Sequence, residues 1–319
     1  MHGHTSLLYG LIEYAIAAGD SKLKYFVRES YEYARKHGIP KLGFTVFNQQ
    51  VSEVCTVSDM IALAIKLTEA GVGDYYDDVD QMVRNHLAEG QLLNPDSLSR
   101  VTESAETQLP YSVESDLETA DRVIERCIGI PLSMGVTGTD RPYTLCCCVG
   151  NGTQALYYAW SKIVEYESGI AKVNLLLNRS SPWMDIDSYL PYEGKVILHN
   201  KRAESVYIRI SHWVERKQVQ AFINDQPCSA HWVGPYLALT QINQGDTIKI
   251  VFPMSQETET YTHRDVEYTC EFKGNSVVQV SPNTRLLPAY SIYQRQYFRE
   301  NSAPLKTSLR YSTPHHIRW

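Results

Sequence analysis

Residues 146–173 read CCCVGNGTQALYYAWSKIVEYESGIAKV, and the fold turns on this stretch. Ala155, Leu156, Ala159, Trp160 and Ile163 recur at the three-to-four-residue spacing of an amphipathic helix, with Asn151 or Thr153 suited to cap its start. At Gly169 the period changes to two. Beyond it, residues 172–177, 195–198, 205–211, 219–223, 236–240 and 247–252 read as short strands, with turn signals at Asn224-Asp225 and Gly245-Asp246. Short strands at this spacing predict an antiparallel β-sandwich rather than a parallel sheet. The chain is therefore divided into a helical region, 1–168, and a β-sandwich region, 169–319, whose end is broken by Pro282, Pro288 and Pro304.

Upstream, four further helices are expected. Leu7, Leu8, Leu11, Ala15 and Ala18 pattern one over 5–18, closed by Gly19-Asp20. Ser21 can cap a second, which runs through Phe26, Tyr33 and Ala34 to Gly38. A third begins near Ser58, and Ile61, Leu63, Ala64, Ile65 and Leu67 require burial almost all round. A fourth spans 74–87, with Val79, Met82, Val83 and Leu87 inward. Residues 90–142, punctuated by Asn94-Pro95, Pro110, Pro131, Gly135 and Gly138, read as loops with one helix over 119–128. Helices in repeated antiparallel pairs close into a bundle or toroid, and about five are few for closure. A well-patterned helix at the very start points to a missing upstream part, or to a partner that completes the layer.

The chain has 319 residues, 43% of them hydrophobic and 21% charged, an ordinary globular balance. Thirty Lys and Arg against 36 Asp and Glu give a net charge of −6, which excludes a basic face for nucleic acid. The longest apolar stretch, 6–18, contains Glu13 and is too short to span a bilayer, and no secretory signal precedes it. A soluble, cytoplasmic protein is expected.

Seven cysteines, three of them consecutive, make a poor disulfide framework. Glu53-Val54-Cys55 would place a carboxylate and a thiol on one face of an extended segment. Cys147-Cys148 would add two thiols from a loop just before a helix N-terminus, where the dipole favours thiolate. Three sulfurs and one oxygen suit tetrahedral zinc. The alternative is that these cysteines are small buried apolar residues. His86, His199 and His231 read as surface or strand residues, Trp160 as core, and Asp74, Asp77, Asp78 and Asp80 as a solvated acidic face.

Taken together, several motifs resemble glycoside hydrolase family 127, the β-L-arabinofuranosidase-like family. They are Glu53-Val54-Cys55 followed by an Asp59-Met60-Ile61 helix, and Cys147-Cys148-Val149-Gly150-Asn151 ahead of a Tyr157-Tyr158-Ala159-Trp160 helix. Met1-His2-Gly3-His4, Leu190-Pro191-Tyr192-Glu193-Gly194, residues 206–213 and Gly245-Asp246 add to the likeness. The resemblance implies a partial (α/α)6 toroid followed by a β-sandwich, and cleavage of terminal β-L-arabinofuranosides with retention. It also implies a zinc site of Glu53, Cys55, Cys147 and Cys148, with Cys147 as nucleophile and His4 as a substrate contact. The register within Cys146-Cys147-Cys148 follows from matching Asn151.

The chain departs from the family pattern in two ways. Residues 38–52, GIPKLGFTVFNQQVS, contain no carboxylate where the family has its general acid/base. Glu29, Glu32, His37 and Asp59 are the neighbouring candidates. The first half of the barrel is also absent, which would leave an apolar seam for a homodimer or an upstream-encoded partner. Carbohydrate is the expected ligand. The alternative function is a noncatalytic structural-zinc protein that binds carbohydrate or depends on a partner, as a truncated or split hydrolase.

Overall fold

A computed structural model describes residues 2–45, 51–91, 132–133, 146–263, 265–282, 285–287, 290–291, 293–306, 309–313, 315 and 319. The chain forms two compact units: Met1–Leu156 with Thr258–Glu271 and Gln279–Gln294, and Tyr157–Glu257 with Phe272–Val278 and Arg295–Trp319.

The first unit is built on helices α1 (His2–Ala18), α2 (Ser21–Lys36), α3 (Val54–Glu69), α4 (Tyr76–Met82) and the start of α5 (Cys146–Ile163), with a short antiparallel pair, β1 (Val51–Ser52) and β2 (Leu132–Ser133). Asp20, rather than Ser21, caps α2, its carboxylate accepting from the Leu23 N–H at 3.0 Å. Helix α3 starts four residues before Ser58. Twelve of its sixteen residues are buried, among them the whole apolar run from Met60 to Ile65. A π-helical turn, Val83–Leu87, continues α4; Leu87 points inward while Val83 is half-buried. Helices α1 and α2 leave Leu7, Tyr14, Tyr25, Phe26 and Tyr33 at least half exposed. The expected helix over 119–128 lies outside the described residues.

The acidic run is not a solvated face. Asp77, Asp78 and Asp80 are all buried. Asp78 accepts from the Tyr31 hydroxyl at 2.8 Å and from Arg35 Nη2 at 2.9 Å, and Asp80 takes Arg84 Nε at 2.8 Å. His86 is likewise fully buried rather than at the surface, its Nδ1 2.9 Å from the Tyr293 hydroxyl. For Asp78 and His86 a short window of sequence shows the polar group and hides partners more than forty residues away.

Helix gives way to strand at Ile163/Val164. Gly169, at φ +83°, sits in the turn between β3 (Val164–Glu167) and β4 (Ile170–Val173). The second unit then adds β5 (Met184–Ser188), β6 (Lys195–Asn200), β7 (Ser205–Arg209), β8 (Gln220–Ile223), β9 (Gln226–Pro227), β10 (His231–Val233), β11 (Tyr236–Thr240) and β12 (Thr247–Val251). Two five-stranded sheets result, ordered β10-β11-β7-β4-β3 and β5-β6-β12-β8-β9, and neighbouring strands within them run antiparallel except β4 with β7. Alternation sets the core face: Val196 and Leu198 on β6, Ile248 and Ile250 on β12, Val206 and Ile208 on β7 are all fully buried. Register is pinned by close backbone approach. A Cβ on Gly194 would lie 1.9 Å from the Phe252 carbonyl oxygen, and in the first unit one on Gly38 would lie 2.0 Å from that of Phe44. A three-stranded sheet, β13 (Gln256–His263), β14 (Val266–Lys273) and β15 (Ser276–Ser281), follows. Trp160 is half-buried, not core, and lies under the Arg179 guanidinium at 4.1 Å. Among the described residues no helix is long and apolar enough to cross a membrane.

Candidate metal and catalytic centre

Two helix starts build the site. Glu53 has extended backbone (φ −101°, ψ 133°) immediately before α3, and Cys55 already lies in the first helical turn. The carboxylate and thiol therefore do not share one strand face, as the spacing alone suggested. Cys147 and Cys148 likewise sit in the first turn of α5 rather than in a loop before it, and Asn151 lies inside the helix instead of capping it. The free amides and dipole of a helix N-terminus favour negative charge at those positions.

One ligand atom from each of Glu53, Cys55, Cys147 and Cys148 lies within 4.8 Å of all the others. Cys55 Sγ and Cys148 Sγ are 3.5 Å apart, and Glu53 Oε1 stands 3.7 Å from Cys148 Sγ and 3.8 Å from Cys147 Sγ. Tetrahedral zinc, with bonds of about 2.3 Å to sulfur and about 2.1 Å to oxygen, sets neighbouring ligand atoms about 3.6–3.8 Å apart. The donor set and spacing fit such an ion. Glu53 Oε2 is buried and has no hydrogen-bond partner among the described residues, which leaves a carboxylate oxygen available to a cation.

Cys55 and Cys148 are fully buried, whereas Cys147 is exposed. Burial pushes the Cys55 thiol far above its ordinary range, against the lowering effect of the Asn151 amide, and pushes Cys148 up to about 11. With protein groups alone, both would stay protonated at neutral pH. A divalent cation reverses that preference.

The other candidates lie as follows. His4 is exposed in the first turn of α1 and makes no hydrogen bond among the described residues. Its neighbour His2, which sequence reasoning passed over, places Nδ1 2.8 Å from Asp59 Oδ2, and the Thr5 hydroxyl donates to the same oxygen at 2.7 Å. No local signal joins positions 2 and 59; only the packing of α1 on α3 does. Burial raises the Asp59 carboxyl pKa despite these two partners. Glu29 pairs with Arg28, Glu32 lies 3.7 Å from Arg35, and His37 Nδ1 lies 2.8 Å from the Tyr33 carbonyl. Residues 46–50 of the carboxylate-free stretch lie outside the described residues.

No protein-family model and no curated protein sequence matches the chain. Solved structures do. A GH127 β-L-arabinofuranosidase from Geobacillus stearothermophilus T6 superposes with a TM-score of 0.57 at 15% identity, covering 86% of this chain and 46% of its own. A second GH127 β-arabinofuranosidase gives 0.55 at 15% identity, with the same coverage. The chain thus spans somewhat less than half the length of these enzymes. Over that span, helices followed by antiparallel sheets, it has the fold of the GH127 β-L-arabinofuranosidases.

Proposed function

We propose that this chain is a retaining glycoside hydrolase acting on terminal furanosides such as β-L-arabinofuranosides, with a zinc site of Glu53, Cys55, Cys147 and Cys148. The observation that carries this reading is the convergence of those four ligand atoms within 4.8 Å. When bound, zinc would keep the thiols deprotonated at neutral pH. The buried Glu53, Cys55 and Cys148 hold the site, and exposed Cys147 is the sulfur a sugar can reach. Its sulfur attacks the anomeric carbon, forming a C–S bond as the glycosidic C–O bond breaks. Water then attacks the same carbon and breaks the C–S bond, so two inversions give retention. The leaving oxygen gains a proton in the first step and the water loses one in the second. Because residues 38–52 offer no carboxylate for that transfer, aryl furanosides, whose leaving group departs as a stable anion, are turned over faster than alkyl ones. His4, exposed at the start of α1, contacts a sugar hydroxyl. The exposed apolar side chains of α1 and α2 support association with a second copy or another chain that completes the helical layer. Free clustered thiols suit a reducing, cytoplasmic setting.

The missing carboxylate also favours a second reading, a structural zinc site in a carbohydrate-binding or partner-dependent protein. Both are tested by measuring zinc per chain after purification without added metal, then hydrolysis of an aryl β-L-arabinofuranoside. Zinc near one per chain, lost in Cys55→Ser and Cys147→Ser, is expected, with activity falling about a thousandfold or more in Cys147→Ser. Full activity in Cys147→Ser sinks the cysteine mechanism. Bound zinc and sugar binding without turnover favour the second reading.

A further inference from the structure

The Cys55 sulfur has a partner outside the four-residue set. Asn151 Nδ2 donates to Cys55 Sγ at 3.1 Å. Asn151 follows Cys147 by four residues and Cys148 by three, so α5 carries the amide on the same face as the thiols, one turn further along. The fully buried Cys55 sulfur thus meets a side-chain donor from α5 on one side and the Cys148 sulfur, 3.5 Å away, on another.

We infer that Asn151 is a positioning residue for the metal centre: its amide fixes the Cys55 sulfur and sets how strongly that sulfur donates to a bound cation. This inference rests on the proposed metal site. A thiolate brought out of water beside a second thiolate is stabilised by a fixed N–H donor, which disperses part of its charge and holds it in one orientation. The group must be a donor. Aspartate has the same shape but turns carboxylate oxygens towards the sulfur, so like charges face each other where charge and hydrogen had met.

The test uses Asn151→Ala, Asn151→Asp and, as a control on the exposed surface of α5, Gln154→Ala. Zinc affinity is measured by chelator competition, the cobalt(II) form by its thiolate charge-transfer absorption, and metal-free stability by thermal melting. In Asn151→Ala, zinc affinity is expected to fall roughly 10- to 100-fold. The cobalt band should move to lower energy as the sulfur becomes electron-richer. Asn151→Asp should bind more weakly still, Gln154→Ala should match wild type, and the metal-free melts should change little. Unchanged affinity and band position in Asn151→Ala overturn the inference while leaving the metal site standing. So does weaker binding that comes with an equal loss of metal-free stability and an unmoved band, since that marks a packing role. A wild-type protein that takes up neither metal overturns the site and the inference together.

Discussion

Two sets of ionisable groups, one in each unit, are completed in opposite ways. In the β-rich unit, Arg179 is 3% exposed and its Nη1 donates to the carbonyls of Trp160, Ser161 and Val164 at 2.7, 3.3 and 3.0 Å, the group of acceptors that a helix end leaves over. Lys273, 2% exposed, donates from Nζ to the carbonyls of Phe298 and Glu300 and to Asn301 Oδ1, at 3.1, 2.6 and 3.0 Å. Each cation is enclosed by acceptors from its own surroundings. In the helical unit, Glu53, Cys55, Cys147 and Cys148 converge on one another, acid facing acid. The contrast teaches that this chain can complete a buried charge with backbone when it needs to. A cluster of three thiols and a carboxylate, with one amide from Asn151 beside it, could instead be completed by a cation from outside.

The strongest challenge to the β side of that contrast is Lys273→Met, which keeps the aliphatic stem and removes the ammonium. Three acceptors lose their donor, and a loss of about 2–4 kcal/mol is expected from the shift in a denaturant midpoint. A loss below about 0.5 kcal/mol would show that water replaces the ammonium freely and that enclosure matters little. On the helical side, Tyr31→Phe removes the hydroxyl that donates to buried Asp78, at an expected cost of about 1–2 kcal/mol by the same measurement.

The gentlest probe is pH, and the two regions should respond with opposite sign. Burial alone would raise the Asp185 carboxyl, but Lys201, Ser180 and the Ser181 N–H outweigh it and hold the pKa below the usual carboxylate range. Its stabilisation is present above about pH 4 and is lost as pH falls through the folded value. Asp78 is the reverse: burial, the largest effect, raises its pKa in spite of Arg35 and Tyr31. The folded state then holds that proton more tightly than the unfolded chain, so stability declines as pH climbs from about 4 through the raised folded value. Asp185→Asn should flatten the acid-side loss and Asp78→Asn the opposite slope. Identical slopes in the two variants would erase the distinction between the regions.

Much of this was legible in the sequence. Period alone locates strands β6, β8, β11 and β12 to within about two residues at each end, because inward Val and Ile must alternate on a half-buried sheet. The E-x-C and C-C motifs named the four residues that converge, since few residue types can hold a soft cation. The helix starts were harder. Val54 and Cys55 carry no capping signal, and Cys146 to Cys148 resemble no helix opening, so their thiols were expected on a strand and in a loop. Asp78 and His86 were misjudged for a different reason. Tyr31 and Arg35 lie more than forty residues before Asp78, and Tyr293 more than two hundred after His86. His2 was missed in the same way, because Asp59 reaches it only through helix packing.

Gly38 and Gly194 have a bearing on which changes this backbone can accept. At each, a carbonyl stands about 2 Å from where a side chain would begin, so no other residue fits without moving the backbone. One lies beside the turn after α2 and the other enters β6. A descendant of this chain with bulk at either place would first have to rebuild the turn around it.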